Sequence, residues 1–163
     1  MENREIERKC LVKDDSYLAL ATPHYDIIQG YVCREPGKTV RVRLCTTAEG
    51  KQQAFLTIKS RLASFTRFEW EREISIADFK ALLATCGNRI IDKTRYILPA
   101  EMQDNAATSH PLKWEIDVFR QPNAGLVMAE IELPTEDTAF VCPPFIGEEV
   151  THDSRYYNAN MFD

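Results

Sequence analysis

Along most of its length the chain alternates apolar and ionic residues one by one, and this period of two constrains the fold more than any other feature. Successive side chains on a β-strand point to opposite faces, so residues two apart share a face. In TVRVRL, Arg41 and Arg43 oppose Val40, Val42 and Leu44. In FLTIKSR, Lys59 and Arg61 oppose Leu56 and Ile58, and in RFEWEREI, Glu69, Glu71 and Glu73 oppose Phe68, Trp70 and Ile74. KWEIDVF sets Lys113, Glu115 and Asp117 against Trp114, Ile116 and Val118; VMAEIEL sets Glu130 and Glu132 against Ala129, Ile131 and Leu133. Glu5, Glu7 and Lys9 align near the start, as do Lys93 and Arg95 in DKTRY.

The pattern predicts about eight strands, near Arg4–Val12, Asp26–Glu35, Thr39–Thr46, Ala54–Arg61, Thr66–Ile76, Arg89–Leu98, Pro111–Arg120 and Leu126–Pro134. Turn residues at Ala48–Lys51 and Gln121–Gly125 mark hairpins, and Gly37-Lys38 breaks another pair. Helices are few. Ile76–Cys86 is the best, opened by Ser75 and closed by Gly87. Asp15–Leu20, Thr135–Phe140 and Tyr156–Phe162 are weaker candidates. Short connections imply antiparallel neighbours, and that many strands in a single domain over 1–163 curl or close. The expected fold is therefore mainly β (α+β): an eight-stranded antiparallel closed barrel with a few short outer helices.

An ordinary solvated sheet face mixes Thr, Ser, Gln, Asn and Lys, whereas this one is almost purely ionic, with the signs sorted by strand. A charged face of that kind suits the inside of a closed barrel. Unpaired charge there costs several kcal/mol per ion, so the lumen must hold water, mutual ion pairs or a charged guest. Carboxylates attract a hard divalent cation such as Mg²⁺, and arginine and lysine attract phosphate oxygens. Together they describe a metal–polyphosphate site. The outer apolar face then needs cover, and a homodimer or a long C-terminal wrap is expected to provide it.

Composition narrows the setting. A net charge of −5 disfavours a general nucleic-acid binder. No stretch approaches the ~20 apolar residues of a membrane span, and the first residues lack the apolar core of a signal peptide. The five cysteines, Cys10, Cys33, Cys45, Cys86 and Cys142, are scattered without metal-ligand spacing. They read as reduced thiols in a cytoplasmic protein. His24, His110 and His152 have no partner pattern.

Glu5-Ile6-Glu7-Arg8-Lys9 has the form E-x-E-x-K. It is followed in order by Gln29-Gly30-Tyr31, Val40-Arg41-Val42-Arg43, Leu56-Thr57-Ile58-Lys59, Glu69-Trp70-Glu71, Lys93-Thr94-Arg95-Tyr96, Trp114–Phe119, Ala129–Leu133, Ile146–Thr151 and Arg155-Tyr156-Tyr157-Asn158. The whole chain thereby resembles the CYTH superfamily, the triphosphate tunnel metalloenzymes, in its short single-domain bacterial form. The visible departure is Cys10, where an aromatic usually follows the motif's lysine; its outward parity assigns it to packing.

The resemblance implies an eight-stranded tunnel that binds triphosphate compounds with Mg²⁺ or Mn²⁺. Glu5 and Glu7 would hold metal with Glu130 and Glu132, and Glu69 and Glu71 would complete a second site. Lys9, Arg41, Arg43, Lys59, Arg61, Arg95 and Arg155 would clamp phosphate oxygens. Lys93 would either orient or deprotonate the attacking water, or bind phosphate itself. Glu73, Lys113, Glu115 and Asp117 read equally well as counter-ions. The implied activity is metal-dependent hydrolysis of the terminal phosphoryl group of inorganic triphosphate. The alternatives are a class IV type adenylate cyclase, a thiamine triphosphatase, or a non-catalytic polyphosphate or nucleotide-binding domain.

Overall fold

In a computed structural model, residues 4–21, 23–61, 67–101 and 111–162 are described. Thr66 and His110, named above, lie outside them. Strand alternation translates into one antiparallel sheet of ten strands. These are β1 (Arg4–Glu5), β2 (Glu7–Val12), β3 (His24–Glu35), β4 (Lys38–Thr47), β5 (Gln52–Arg61), β6 (Arg67–Ile74), β7 (Ile90–Pro99), β8 (Lys113–Gln121), β9 (Val127–Glu132) and β10 (Ile146–Glu149). The order is β1-β6-β5-β4-β3-β7-β8-β9-β2-β10.

The ladder is not the uninterrupted closed ring of eight strands that the pattern predicts. The first expected strand splits at Ile6. Arg4 and Glu5 pair with β6, while Glu7 onward pairs with β9. One continuous stretch of chain thus belongs to both ends of the strand order, and the Ile6 carbonyl accepts from Leu133 N–H at 2.8 Å. The split arises because β6 and β9 each have a free edge that a single strand serves in turn. β10, which lies outside every predicted strand, pairs with the other edge of β2.

The helix α1 (Ile76–Leu83) starts where expected: the Ser75 hydroxyl accepts from Asp78 N–H at 3.0 Å. Gly87, at φ +63°, carries the left-handed turn after it. The other helical expectations shrink to 3₁₀ turns at Ser16–Ala19, Ser154–Tyr156 and Asn158–Asn160, and Thr135–Phe140 is not helical. Among the described residues no helix is long and apolar enough to cross a membrane.

Much of the apolar side of the strands is covered within the chain, while Ile28 on β3 and Phe68 on β6 stay exposed. Phe79 of α1 packs with Val42, Leu44, Ala54 and Cys86 on the outside of β4 and β5. Tyr17 and Phe145 cover Trp114, Ile116 and Ile131 on the outside of β8 and β9, where Cys10 is also buried. A third cluster gathers Tyr31, Ile91, Phe119 and Met128 under Met161, with Tyr156 and Phe162 against it. The C-terminal segment therefore sits on one end of the enclosed space.

Candidate active site

The ionic side chains meet in one cavity of about 650 Å³. Glu5, Glu7 and Lys9 enter it from β1 and β2, Arg41 and Arg43 from β4, and Lys59 and Arg61 from β5. Glu69 and Glu71 enter from β6, Arg95 from β7, and Glu130 and Glu132 from β9. Strand parity does this: each of these residues occupies the face opposite the clusters under α1 and under Tyr17 and Phe145, while the Ile91, Phe119 and Met128 cluster shares the ionic face and closes one end of it.

Neighbouring strands set charge against charge. Glu7 lies directly across from Glu132, Lys9 from Glu130, and Glu115 from Glu130. Like charges placed opposite one another destabilise a sheet, so the first and last pairs need a compensating ion. Part of that compensation is internal. Lys59 Nζ lies 2.7 Å from Glu5, and Lys9 Nζ lies 3.1 Å from Glu130. Glu7, Glu69 and Glu132 make no ion pair among the described residues.

Their proton affinities register the crowding. Burial first, then Glu130 and Glu5, pushes Glu7 up to about 7 against the pull of Lys9. Burial and the neighbouring Glu5, Glu69 and Glu115 raise Glu132. Glu69 is raised by burial and by Glu5, with Lys59 opposing. Crowding of this kind favours the protonated form of each carboxyl, and carboxylates are hard oxygen donors of the kind Mg²⁺ and Mn²⁺ take. Among the described residues no three of them stand close enough to form a ready-made metal cage. The chemistry of this donor set, carboxylates with raised proton affinity, suits a divalent cation.

The basic wall is strained in the opposite sense. Burial, with Arg41 and Arg95 close by, brings Arg43 down to about 10. Arg41 leaves its Nε–H without a partner. Arg95 is the exception: Asp117 grips it through both oxygens, at 2.7 and 2.8 Å, and Glu115 pairs with it as well. Those two carboxylates are thus counter-ions, one of the two readings their positions allow.

Two predicted site residues do not reach the cavity. Lys93 is fully buried behind its wall, its Nζ 2.6 Å from Asp117 and 3.0 Å from Asn158. Burial, with Arg95 and Arg43 nearby, lowers it to about 7, while Asp117 holds it up. Arg155 points outward, 80% exposed, and binds Asp153. Its predicted place is taken by Tyr157, Asn158 and Arg34, which line the cavity and which the charge pattern does not single out. They come from the C-terminal 3₁₀ turns and a strand end, where no alternation marks a side chain as facing inward.

The model of the CYTH domain family matches residues 3–160. The inorganic triphosphatase of Acetivibrio thermocellus is 37% identical over 159 residues, spanning 97% of this chain and 92% of that protein. The inorganic triphosphatase of Nitrosomonas europaea is 35% identical over 158 residues, spanning 94% and 93%. The crystal structure of the inorganic triphosphatase NE1496 has a TM-score of 0.61 to this chain at 30% identity, covering 97% of this chain and 93% of that one. HpAC1 from Hippeastrum, a putative adenylyl cyclase described as having a dominant triphosphatase activity, has a TM-score of 0.53 at 16% identity over 80% of each chain, a likeness of fold.

Proposed function

This chain belongs to the CYTH domain family, and from that premise we propose that it is an inorganic triphosphatase, transferring the terminal phosphoryl group of tripolyphosphate to water. The carrying observation is the ionic cavity in which Arg41, Arg43 and Lys59 face Glu7, Glu69 and Glu132. A small, dense polyanion with its cation satisfies both walls together, whereas either wall alone is a cluster of like charges. Among the described residues, Tyr31 and Tyr157 are the aromatic side chains in the lining.

Phosphoryl transfer asks for positioning and for stabilisation of charge on the transferred group and the leaving oxygen. Arg41 and Arg43 hold non-bridging oxygens from one wall, and Lys59 and Arg61 from the next strand. Arg95 is aimed by Asp117, which leaves its fork rigid. Lys9 and Lys59 exchange Glu130 and Glu5 for phosphoryl oxygens as substrate enters. Lys93 acts from behind the wall, holding Asp117 and through it Arg95, and Arg155 anchors the C-terminal turn through Asp153. Glu5, Glu7, Glu130 and Glu132 would hold Mg²⁺ or Mn²⁺, with Glu69 and Glu71 available to a second ion. The bound cation supplies neutralising charge beside the phosphoryl groups. The free cysteines suit a cytoplasmic setting.

The test is a panel of tripolyphosphate, ATP, thiamine triphosphate and pyrophosphate, assayed with Mg²⁺, with Mn²⁺ and with EDTA. Orthophosphate and pyrophosphate in equal amounts from tripolyphosphate, abolished by EDTA, is the expected result. Cyclic AMP from ATP would make the protein a cyclase, and no turnover under any divalent ion would make it a binding domain.

A further inference from the structure

The cavity's buried cations are held in two different ways. Arg95 is held by carboxylates, Asp117 and Glu115, so its charge is compensated inside the protein. The two arginines of β4 are held by neutral groups. Arg43 Nε donates to Gln29 Oε1 at 2.9 Å, and Arg41 Nη2 donates to the Thr57 hydroxyl at 3.4 Å. Gln29 and Thr57 are themselves almost completely buried, at 0% and 1% exposure. An acidic partner is at hand for Arg41 only at 4.0 Å, through Glu71, whose carboxylate Thr57 also engages at 2.7 Å.

The orientation of the Gln29 amide follows from what surrounds it. An ammonium and a guanidinium can only donate. Lys93 Nζ therefore draws the oxygen of Asn158, at 3.0 Å. That same oxygen takes the Gln29 Nε2–H at 3.4 Å, which turns the Gln29 oxygen toward Arg43. The chain Lys93–Asn158–Gln29–Arg43 thus has donors only at both ends and two neutral amides between them. It aims the guanidinium without cancelling its charge.

We propose that Gln29, oriented by Asn158, is a positioning residue for substrate binding: it fixes Arg43 in the cavity wall while keeping that positive charge free for the incoming polyanion. A carboxylate at position 29 would hold Arg43 more tightly and make it a poorer anion ligand, because the guanidinium would arrive already neutralised. The inference rests on the triphosphatase reading above and adds to it a residue that touches no substrate.

The experiment compares the wild type with Gln29→Glu and Gln29→Met, measuring kcat and KM for tripolyphosphate with Mg²⁺, binding of tripolyphosphate by calorimetry, and Tm. Gln29→Glu is expected to raise KM and Kd about tenfold, which corresponds to about 1.4 kcal/mol of lost attraction, while Tm records separately the lost hydrogen bond to Asn158. Gln29→Met, which aims nothing, is expected to lower kcat/KM as well. A partner that merely supports the fold would give the opposite ranking, since the carboxylate would replace the amide without loss of binding. Wild-type KM and Kd in Gln29→Glu, or wild-type kinetics in Gln29→Met, overturns the inference while the triphosphatase reading stands. A wild-type protein that neither binds nor hydrolyses tripolyphosphate overturns both.

Discussion

Glu7 shows at the scale of one residue how the acidic wall stores its tension. Its folded proton affinity is about 7, above the ordinary 4.5, through burial and through Glu130 and Glu5. Between those two values the folded chain holds more protons than the unfolded one, so stability falls as pH rises from 4.5 to 7. Glu130 behaves in the reverse manner. Burial would raise it, but Lys9 and Arg95 pull it down to about 2, so its stabilisation is present above pH 4.5 and lost as pH falls toward 2. Those two windows do not overlap, but Glu69 and Glu132 are raised like Glu7 and Lys93 is lowered to about 7, so the part due to Glu7 is isolated by substituting it. In EDTA, Glu7→Gln is expected to flatten the decline in Tm between pH 5 and 8 and to be more stable than the wild type at pH 8. Saturating Mg²⁺ should restore stability to the wild type and not to the variant, and metal-dependent turnover should fall at least about 100-fold if Glu7 is a ligand. Thermal melts and an orthophosphate assay across that pH range check both halves; a variant with wild-type turnover removes Glu7 from the metal site.

At the scale of elements, the strands are easier to read in the sequence than their ends. Alternation marks β4 through β9 because each has one apolar and one ionic face, and the period of two identifies both. The break at Ile6 leaves no such mark, since Glu5 and Glu7 keep the same parity on either side of it. What divides β1 from β2 is the edge each finds to pair with. Gly30 is a second feature settled by an element contact. A Cβ there would stand 2.7 Å from Cys86 Sγ and 2.8 Å from Leu83 Cδ1, so the bare backbone of β3 lets the end of α1 lie against it. Gly30→Ala must push α1 outward or distort β3, at a cost of about 1–3 kcal/mol, as for other overpacked sites. Urea unfolding should show that loss with an unchanged m value; a variant as stable as the wild type would mean that α1 is not seated on β3.

Across the whole molecule, the basic wall of the proposed site would draw a polyanion through the summed charge of its cations. The Debye length is about 10 Å at 0.1 M salt and about 3 Å at 1 M. Attraction of a polyanion toward the cavity is therefore screened, whereas contacts already made inside it are screened much less. Raising KCl from about 0.05 to about 0.5 M at fixed free Mg²⁺ is expected to raise KM several-fold and leave kcat nearly constant. A fall in kcat with KM unchanged would place the salt-sensitive step after binding. On the outer side, α1 and the Tyr17 and Phe145 contacts bury the apolar faces of β4, β5, β8 and β9, which lets a domain of 18.7 kDa keep an ionic interior.

The sequence by itself determined that these strands would have an ionic side, which residues stand on it, and that carboxylates and guanidinium groups would be sorted between strands. A side chain's face on a strand is local information, available from two residues at a time. Only the tertiary structure decided which charges are free to act. Lys93 and Arg95 share a strand face two residues apart, yet Lys93 is sealed behind the wall and Arg95 opens into the cavity. Asp117 and Asn158, far away in sequence, close over Lys93, and no local period encodes such contacts. The same holds for the amides beside Arg43: the difference between a neutral and an ionic partner lies in what the fold brings within about 3 Å.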